Sequence, residues 1–188
     1  MDTHKLVIGL VGMPGSGKSV VVESAQARGY DVVVMGDIIR QETRKRGLEL
    51  NPQNIGAVML DLRKTNGAGV IAEKSIPSIE QAQSDKVIVD GLRSLDEAAV
   101  FKTYFPSFGL IAVYASPQTR FSRLNRRHRS DDPKDWAVFH ERDMRELSVG
   151  LGNAMAMAEH VIINEDDKKD TKVRVEETLT KVEERWQK

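Results

Sequence analysis

The sequence contains no cysteine. That excludes a disulfide scaffold, a thiolate zinc site and a cysteine nucleophile, and it fits a reducing compartment. Net charge is absent as well: 28 Lys and Arg balance 28 Asp and Glu, so the bulk charge points to no polyanionic partner. Aromatic residues make up only 5% of the chain. No long apolar run occurs; the only apolar start, Leu6–Val11, is too short for a signal-peptide core or a membrane span. Repeats and low-complexity linkers are missing too. What remains is 188 residues, 40% apolar and 30% charged. That is enough chain for one globular domain burying about 70% of its unfolded surface. The expectation is a soluble, cytoplasmic, single-domain protein.

Apolar runs alternate with helical patterns along the whole length. Strands are expected at Leu6–Val11, Asp31–Met35, Lys86–Asp90, Leu110–Ala115 and His160–Ile163. Short β-rich runs separated by helical stretches predict a five-stranded parallel sheet covered on both faces, a three-layer α/β domain. Helix starts are marked by Asn51-Pro52, by the capping box Ser94-Leu95-Asp96-Glu97, and by Ser116-Pro117 and Asp132-Pro133. Pro77 predicts a kink or break in its helix. Val173, Val175, Leu179 and Val182 follow a roughly helical repeat in the last one.

Gly12-Met13-Pro14-Gly15-Ser16-Gly17-Lys18-Ser19 is a complete Walker A pattern, with a strand before it and a helix after it. Glycines let backbone N–H groups turn inward around phosphate oxygens, and the following helix presents its N-terminal donors. Lys18 can reach the β- and γ-phosphates, and the Ser19 hydroxyl can ligate Mg²⁺. The nucleotide-binding set is therefore Gly12, Pro14, Gly15, Ser16, Gly17, Lys18, Ser19 and Val20, with ATP and Mg²⁺ as the expected cofactors. Val87-Ile88-Val89-Asp90 is an apolar strand ending in a carboxylate, the Walker B pattern. Beside a Walker A loop, Asp90 is expected to hold Mg²⁺ through its water shell, rather than to cap a turn.

Residues Arg120 to Arg129 contain five arginines, one histidine and no acid. Three readings are open: a solvated basic face, a nucleic-acid patch, and an arginine lid for phosphoryl transfer. Sparse aromatics and zero net charge count against nucleic acid. Arg123 and Arg127 are four apart, on one helical face, and Arg142 returns on the next helix. Arginines on a mobile segment can neutralise the three equatorial oxygens of a migrating phosphoryl group. The lid reading, over about residues 123–142, is favoured. The scattered histidines His4, His128, His140 and His160 form no recognisable metal set, and Trp136 and Phe139 read as packing anchors.

These residues resemble the adenylate kinase-like nucleoside monophosphate kinases of the P-loop superfamily. Four segments carry the resemblance in the right order: Gly12–Ser19; Gly36-Asp37-Ile38-Ile39-Arg40; Asp90-Gly91-Leu92-Arg93; and Arg123-x-x-x-Arg127 with Arg129-x-Asp-Asp and Arg142. The whole chain is similar to archaeal P-loop proteins described as adenylate-kinase-related. The resemblance implies a P-loop NTPase fold with a helical lid. It implies transfer of the γ-phosphoryl group of ATP to a nucleoside monophosphate. It also implies Arg40 and Arg93 at the acceptor's phosphate, and Lys18, Arg123, Arg127, Arg129 and Arg142 on the migrating group. Two departures stand out. The Asp90–Arg93 segment is one residue shorter than the family's, and within an acceptor-binding insertion over about residues 37–82, Asn51–Ala82 is rearranged and carries an extra helix. Ala158-Glu159-His160-Val161-Ile162-Ile163-Asn164 is instead similar to a segment of dephospho-coenzyme A kinases, which implies Asn164 near the ATP base.

Asp37 bears on the acceptor's identity. A monophosphate oxygen needs no general base, whereas an alcohol acceptor would use a carboxylate within reach. Asp37 is placed for that task and is equally the expected N-cap of a helix starting at Ile38. A small phosphate-bearing acceptor is the leading expectation, with a nucleoside monophosphate ahead of dephospho-coenzyme A. A P-loop ATPase acting on RNA or a protein partner is the reading outside the kinases.

Overall fold

The structure, a computed structural model, describes residues 4–127, 132–165 and 167–186. Five parallel strands form one sheet in the order β2-β3-β1-β4-β5. They are β1 (Leu6–Val11), β2 (Asp31–Val34), β3 (Lys86–Asp90), β4 (Phe108–Tyr114) and β5 (His160–Ile163). Between them run α1 (Ser19–Ala27), α2 (Met35–Lys45), α3 (Pro52–Asn66), α4 (Val70–Glu80), α5 (Leu95–Tyr104), α6 (Pro117–Arg127), α7 (Trp136–Ser148) and α8 (Leu151–Ala156), with α9 (Lys168–Trp186) last. This is the α/β P-loop NTPase fold.

Strand alternation divides the core in two. Leu6, Ile8, Leu10, Ile88, Ile111, Val113 and Ile162 pack with Val21 of α1 and with Val175 and Leu179 of α9. On the opposite face Val7, Val87, Val89 and Ala112 pack with Ile71, Ile79, Phe101 and Leu151. Central β1 is buried along its whole length, so its C-terminal end holds the loop that follows against a rigid base. Gly9 leaves room there for the tip of the Phe108 ring, which a Cβ would approach to 2.9 Å.

Several local expectations need correction. Met35 opens α2 directly after β2, with Val34 at the cap position and no side-chain bond. Asp37 is therefore not an N-cap; it lies in the first turn, where a carboxylate faces the positive end of the helix. Helix α4 runs through Pro77 without a break and ends three residues later, held by buried Ile71 and Ile79 on either side. The capping box is half formed. Ser94 accepts from the Glu97 amide at 3.2 Å, but the Glu97 carboxylate turns inward, to the Arg93 amide at 2.7 Å and the Arg63 guanidinium. Asp135, not Asp132, caps α7, accepting from the Val138 amide at 2.9 Å. In α9 the buried stripe is Thr171, Val175, Leu179 and Val182, and Val173 is exposed. Among the described residues no helix is long and apolar enough to cross a membrane.

Candidate nucleotide and acceptor site

Residues 12–18 cross from the end of β1 to the start of α1 as a tight loop. Gly15 and Gly17 have φ of +82° and +88°, left-handed values that L side chains rarely adopt. Gly12 is equally constrained, since a Cβ would lie 2.6 Å from the Val113 carbonyl oxygen. The Lys18 ammonium reaches back across the loop to the Gly12 carbonyl at 2.8 Å. Pro14 offers its carbonyl to the Arg120 guanidinium at 3.2 Å, and Val20 packs beneath the loop at the start of α1.

The register of β1 and β3 sets Asp90 opposite Leu10, two residues before Gly12. Its Oδ1 is buried and makes no hydrogen bond. Burial pushes the Asp90 carboxyl up, and the nearby charges of Lys18 and Arg93 resist. Burial likewise holds the Lys18 ammonium below its ordinary value, with Asp90 pulling it back up and Arg93 and Arg142 pushing it down. The orphaned buried carboxylate oxygen of Asp90 and the exposed hydroxyl of Ser19 at the start of α1 are donors of the kind that suit a hydrated divalent cation.

The charges of Arg93 and Arg142 are thus felt at Lys18. Arg93 also pairs with Glu146 of α7 at 3.2 Å and contacts the Met59 sulfur at 3.2 Å. Arg40 turns instead to Asp37, three residues earlier, at 2.5 Å on an exposed surface. Arg127 pairs with Asp132 at 2.5 Å. Arg123 donates to the Ser16 carbonyl at 3.4 Å and to Asn164 Oδ1 at 3.3 Å. A cleft of about 460 Å³ opens beside the loop. It is lined by Gly17, Val20 and Asn164, and by the cations Arg123, Arg126, Arg127 and Lys168. Arg129 and its neighbours His128, Ser130 and Asp131 lie outside the described residues.

Sequence reasoning missed Arg63, Glu97 and Glu146. Arg63 of α3 pairs with Glu97, which is fully buried, while its own Nε and Nη1 are buried without a hydrogen-bond partner. Because Glu97 also accepts from the Arg93 amide, one carboxylate joins two arginines, Arg63 and Arg93. Nothing local distinguishes Arg63 from the other cations of α3; only tertiary packing buries it. Arg120, counted within the basic run, is also buried, and it pairs with Asp143 rather than facing solvent.

Residues 11–140 match the family described as AAA domain. A UPF0200 protein of Hyperthermus butylicus is 46% identical over 162 residues, covering 86% of this chain and 87% of that protein. Shikimate kinase from Acinetobacter baumannii, solved with shikimate, superimposes with a TM-score of 0.59 at 14% identity, over 97% of this chain and 96% of that one. A gluconokinase from Sinorhizobium meliloti gives 0.57 at 14% identity, over 98% and 97%. At such identities the two solved structures are alike in fold, and the fold is that of P-loop kinases.

Proposed function

The chain belongs to the UPF0200 family, and from that premise we propose that it is an ATP- and Mg²⁺-dependent phosphotransferase acting on a small phosphate-bearing acceptor, with a nucleoside monophosphate favoured. The observation that carries this reading is that Lys18 feels the charges of Asp90, Arg93 and Arg142, while Asp90 feels those of Lys18 and Arg93. A motor or switch ATPase needs the loop and the carboxylate but no second set of arginines facing them. Arg63 adds support, because two unpartnered buried guanidinium donors suit an anionic acceptor.

In this reading the loop amides and Lys18 bind the triphosphate. Ser19 and Asp90 would hold Mg²⁺, which supplies charge neutralisation at the β- and γ-oxygens. Arg93 orients the acceptor phosphate, whose own oxygen attacks without a general base. Arg123, Arg127, Arg129 and Arg142 belong to a lid over about residues 123–142, and residues 37–82 form the acceptor-binding insertion within one kinase domain. Asp37 serves as a positioning group, since Arg40 already engages its carboxylate.

The second reading, phosphorylation of an alcohol in the manner of dephospho-coenzyme A kinases, is favoured by two of the fold neighbours, a shikimate kinase and a gluconokinase. One assay separates the two. Purified protein with Mg²⁺–ATP is offered AMP, CMP, UMP, GMP, their deoxy forms and dephospho-coenzyme A, and products are identified by mass. Acceptor-dependent ADP with a nucleoside diphosphate product is the expected result. Phosphorylated dephospho-coenzyme A would replace it with the second reading. ADP release indifferent to every acceptor would overturn both and direct the search to RNA or a protein partner.

A further inference from the structure

Asn164 follows β5, and its amide donates to the Tyr114 carbonyl at 2.8 Å, so its backbone is locked to β4. The side chain is 4% exposed. Its Nδ2 donates to the Ser16 carbonyl at 2.7 Å. Its Oδ1 accepts from the Thr171 hydroxyl at 2.9 Å and from Arg123 at 3.3 Å. Arginine only donates, so the amide orientation is fixed by its partners. Thr171, 1% exposed in the first turn of α9, has Asn164 Oδ1 and the Asp167 carbonyl as the two acceptors for its single proton.

We propose that Asn164 and Thr171 are positioning residues, which set the phosphate loop from behind through the Ser16 carbonyl. The reason is peptide geometry. The Ser16 C=O and the Gly17 N–H belong to one planar trans peptide and point in opposite directions. Holding the carbonyl on Asn164 therefore aims the Gly17 N–H the other way, toward the concave side of the loop, where a phosphate oxygen binds. Gly17 permits this close approach, because a Cβ at that position would collide with the Asn164 amide. Thr171 in turn keeps Asn164 Oδ1 away from Ser16, where it would face the carbonyl oxygen with lone pair against lone pair.

A consequence separates this role from the one the sequence resemblance implies. One lone pair of Asn164 Oδ1 accepts from Thr171 and one Nδ2 proton goes to the Ser16 carbonyl, while Arg123 stands at a longer 3.3 Å. A residue that works through the loop backbone serves every nucleotide alike, so its loss leaves base preference unchanged. This inference rests on the loop being a nucleotide site, as proposed above.

The test compares wild type with Thr171→Val, Thr171→Ser and Asn164→Ala. Calorimetric affinities for Mg²⁺–ATP and Mg²⁺–GTP are measured, and amide hydrogen exchange across residues 12–19 is followed without nucleotide. Thr171→Val should weaken both nucleotides about tenfold, the scale of one buried hydrogen bond, while Thr171→Ser stays within about twofold of wild type. Asn164→Ala should weaken both together, leaving the ATP-to-GTP ratio unchanged. Loop exchange should quicken in Thr171→Val and not in Thr171→Ser. A shifted base ratio in Asn164→Ala, or equal damage from Ser and Val at 171, would overturn the proposal. If wild type binds neither nucleotide, the nucleotide reading itself fails, and the exchange arm alone decides whether the hydroxyl positions the loop.

Discussion

Arg120 of α6 and Asp143 of α7 meet as a bidentate pair, Nη1 to Oδ1 at 2.8 Å and Nη2 to Oδ2 at 2.5 Å, with both residues buried. The same guanidinium donates to the Ala115 carbonyl at 3.1 Å and to the Pro14 carbonyl at 3.2 Å, and it lies 5.0 Å from the Phe139 ring centroid. One arginine thus fastens α7 to the phosphate loop, and α7 carries Arg142 and Glu146 into the site.

Removing Asp143 would leave that guanidinium buried without its counter-charge. Asp143→Ala should cost about 3–5 kcal/mol, the penalty for breaking a buried pair on one side. Urea denaturation measures it directly. A loss below about 1 kcal/mol would mean that water or a neighbouring group replaces the carboxylate, and that the pair does not fasten α7.

Lys18→Ala keeps the backbone donors of the loop and takes away the ammonium group that the proposed function assigns to the β- and γ-phosphates. Turnover of Mg²⁺–ATP should fall by about 10²–10³-fold, as when one preorganised transition-state donor is lost. Stability should not fall with it, because burial already disfavours the charged form of Lys18 in the folded protein. A variant that binds and hydrolyses ATP as well as wild type would sink the ATP-dependent reading.

How legible all this was in the sequence differs by level. The five strands and the loop context follow from short apolar runs and glycine spacing, so they are read correctly to within one or two residues at each end. Local chemistry placed the caps at Asn51 and Ser94, whose side chains do accept helix N–H groups. It failed at Asp37, where α2 already starts at Met35, and at Glu97 and Asp132, whose carboxylates turn to arginines. Arg40 engages Asp37, Arg63 takes Glu97 and Arg127 takes Asp132. The basic run holds more than lid arginines: Arg120, outside the lid span of about residues 123–142, is a buried strut, and Arg127 pairs with Asp132. A charge has no periodicity that tells solvent from core, so only packing distinguishes them. Asn164 was found by its likeness to a base-proximal segment, but its hydrogen bonds tie it to the loop backbone.

Arg123 bonds to the Ser16 carbonyl and Asn164 only at 3.4 and 3.3 Å, long contacts that a phosphate oxygen can replace. Its charge should count most when negative charge spreads over the migrating group. Arg123→Ala is therefore expected to lower kcat by more than it raises the Kd for Mg²⁺–ATP. Equal losses in both would assign Arg123 to ground-state binding alone.

Glu183, near the far end of α9, accepts from Lys86 at 3.1 Å and pairs with Arg28 just past α1, so it pins the helix that carries Thr171. Burial pulls its carboxyl upward, but the hydrogen bonds from Arg28 and Lys86 more than reverse this, leaving it below the ordinary 4.5. A depressed folded value means that the unfolded chain binds more protons as the pH falls. The stabilisation is therefore complete above pH 4.5 and is lost as the pH falls through the folded value. Glu183→Gln should cost about 1–2 kcal/mol at neutral pH, after allowing for partial screening. Its denaturation curve should converge on that of wild type in acid below pH 4.5. Nucleotide affinity should stay at the wild-type level, because the Asn164–Ser16 bond lies at the opposite end of the helix. A stability gap that persists at low pH would show that Glu183 acts through packing and not through its charge.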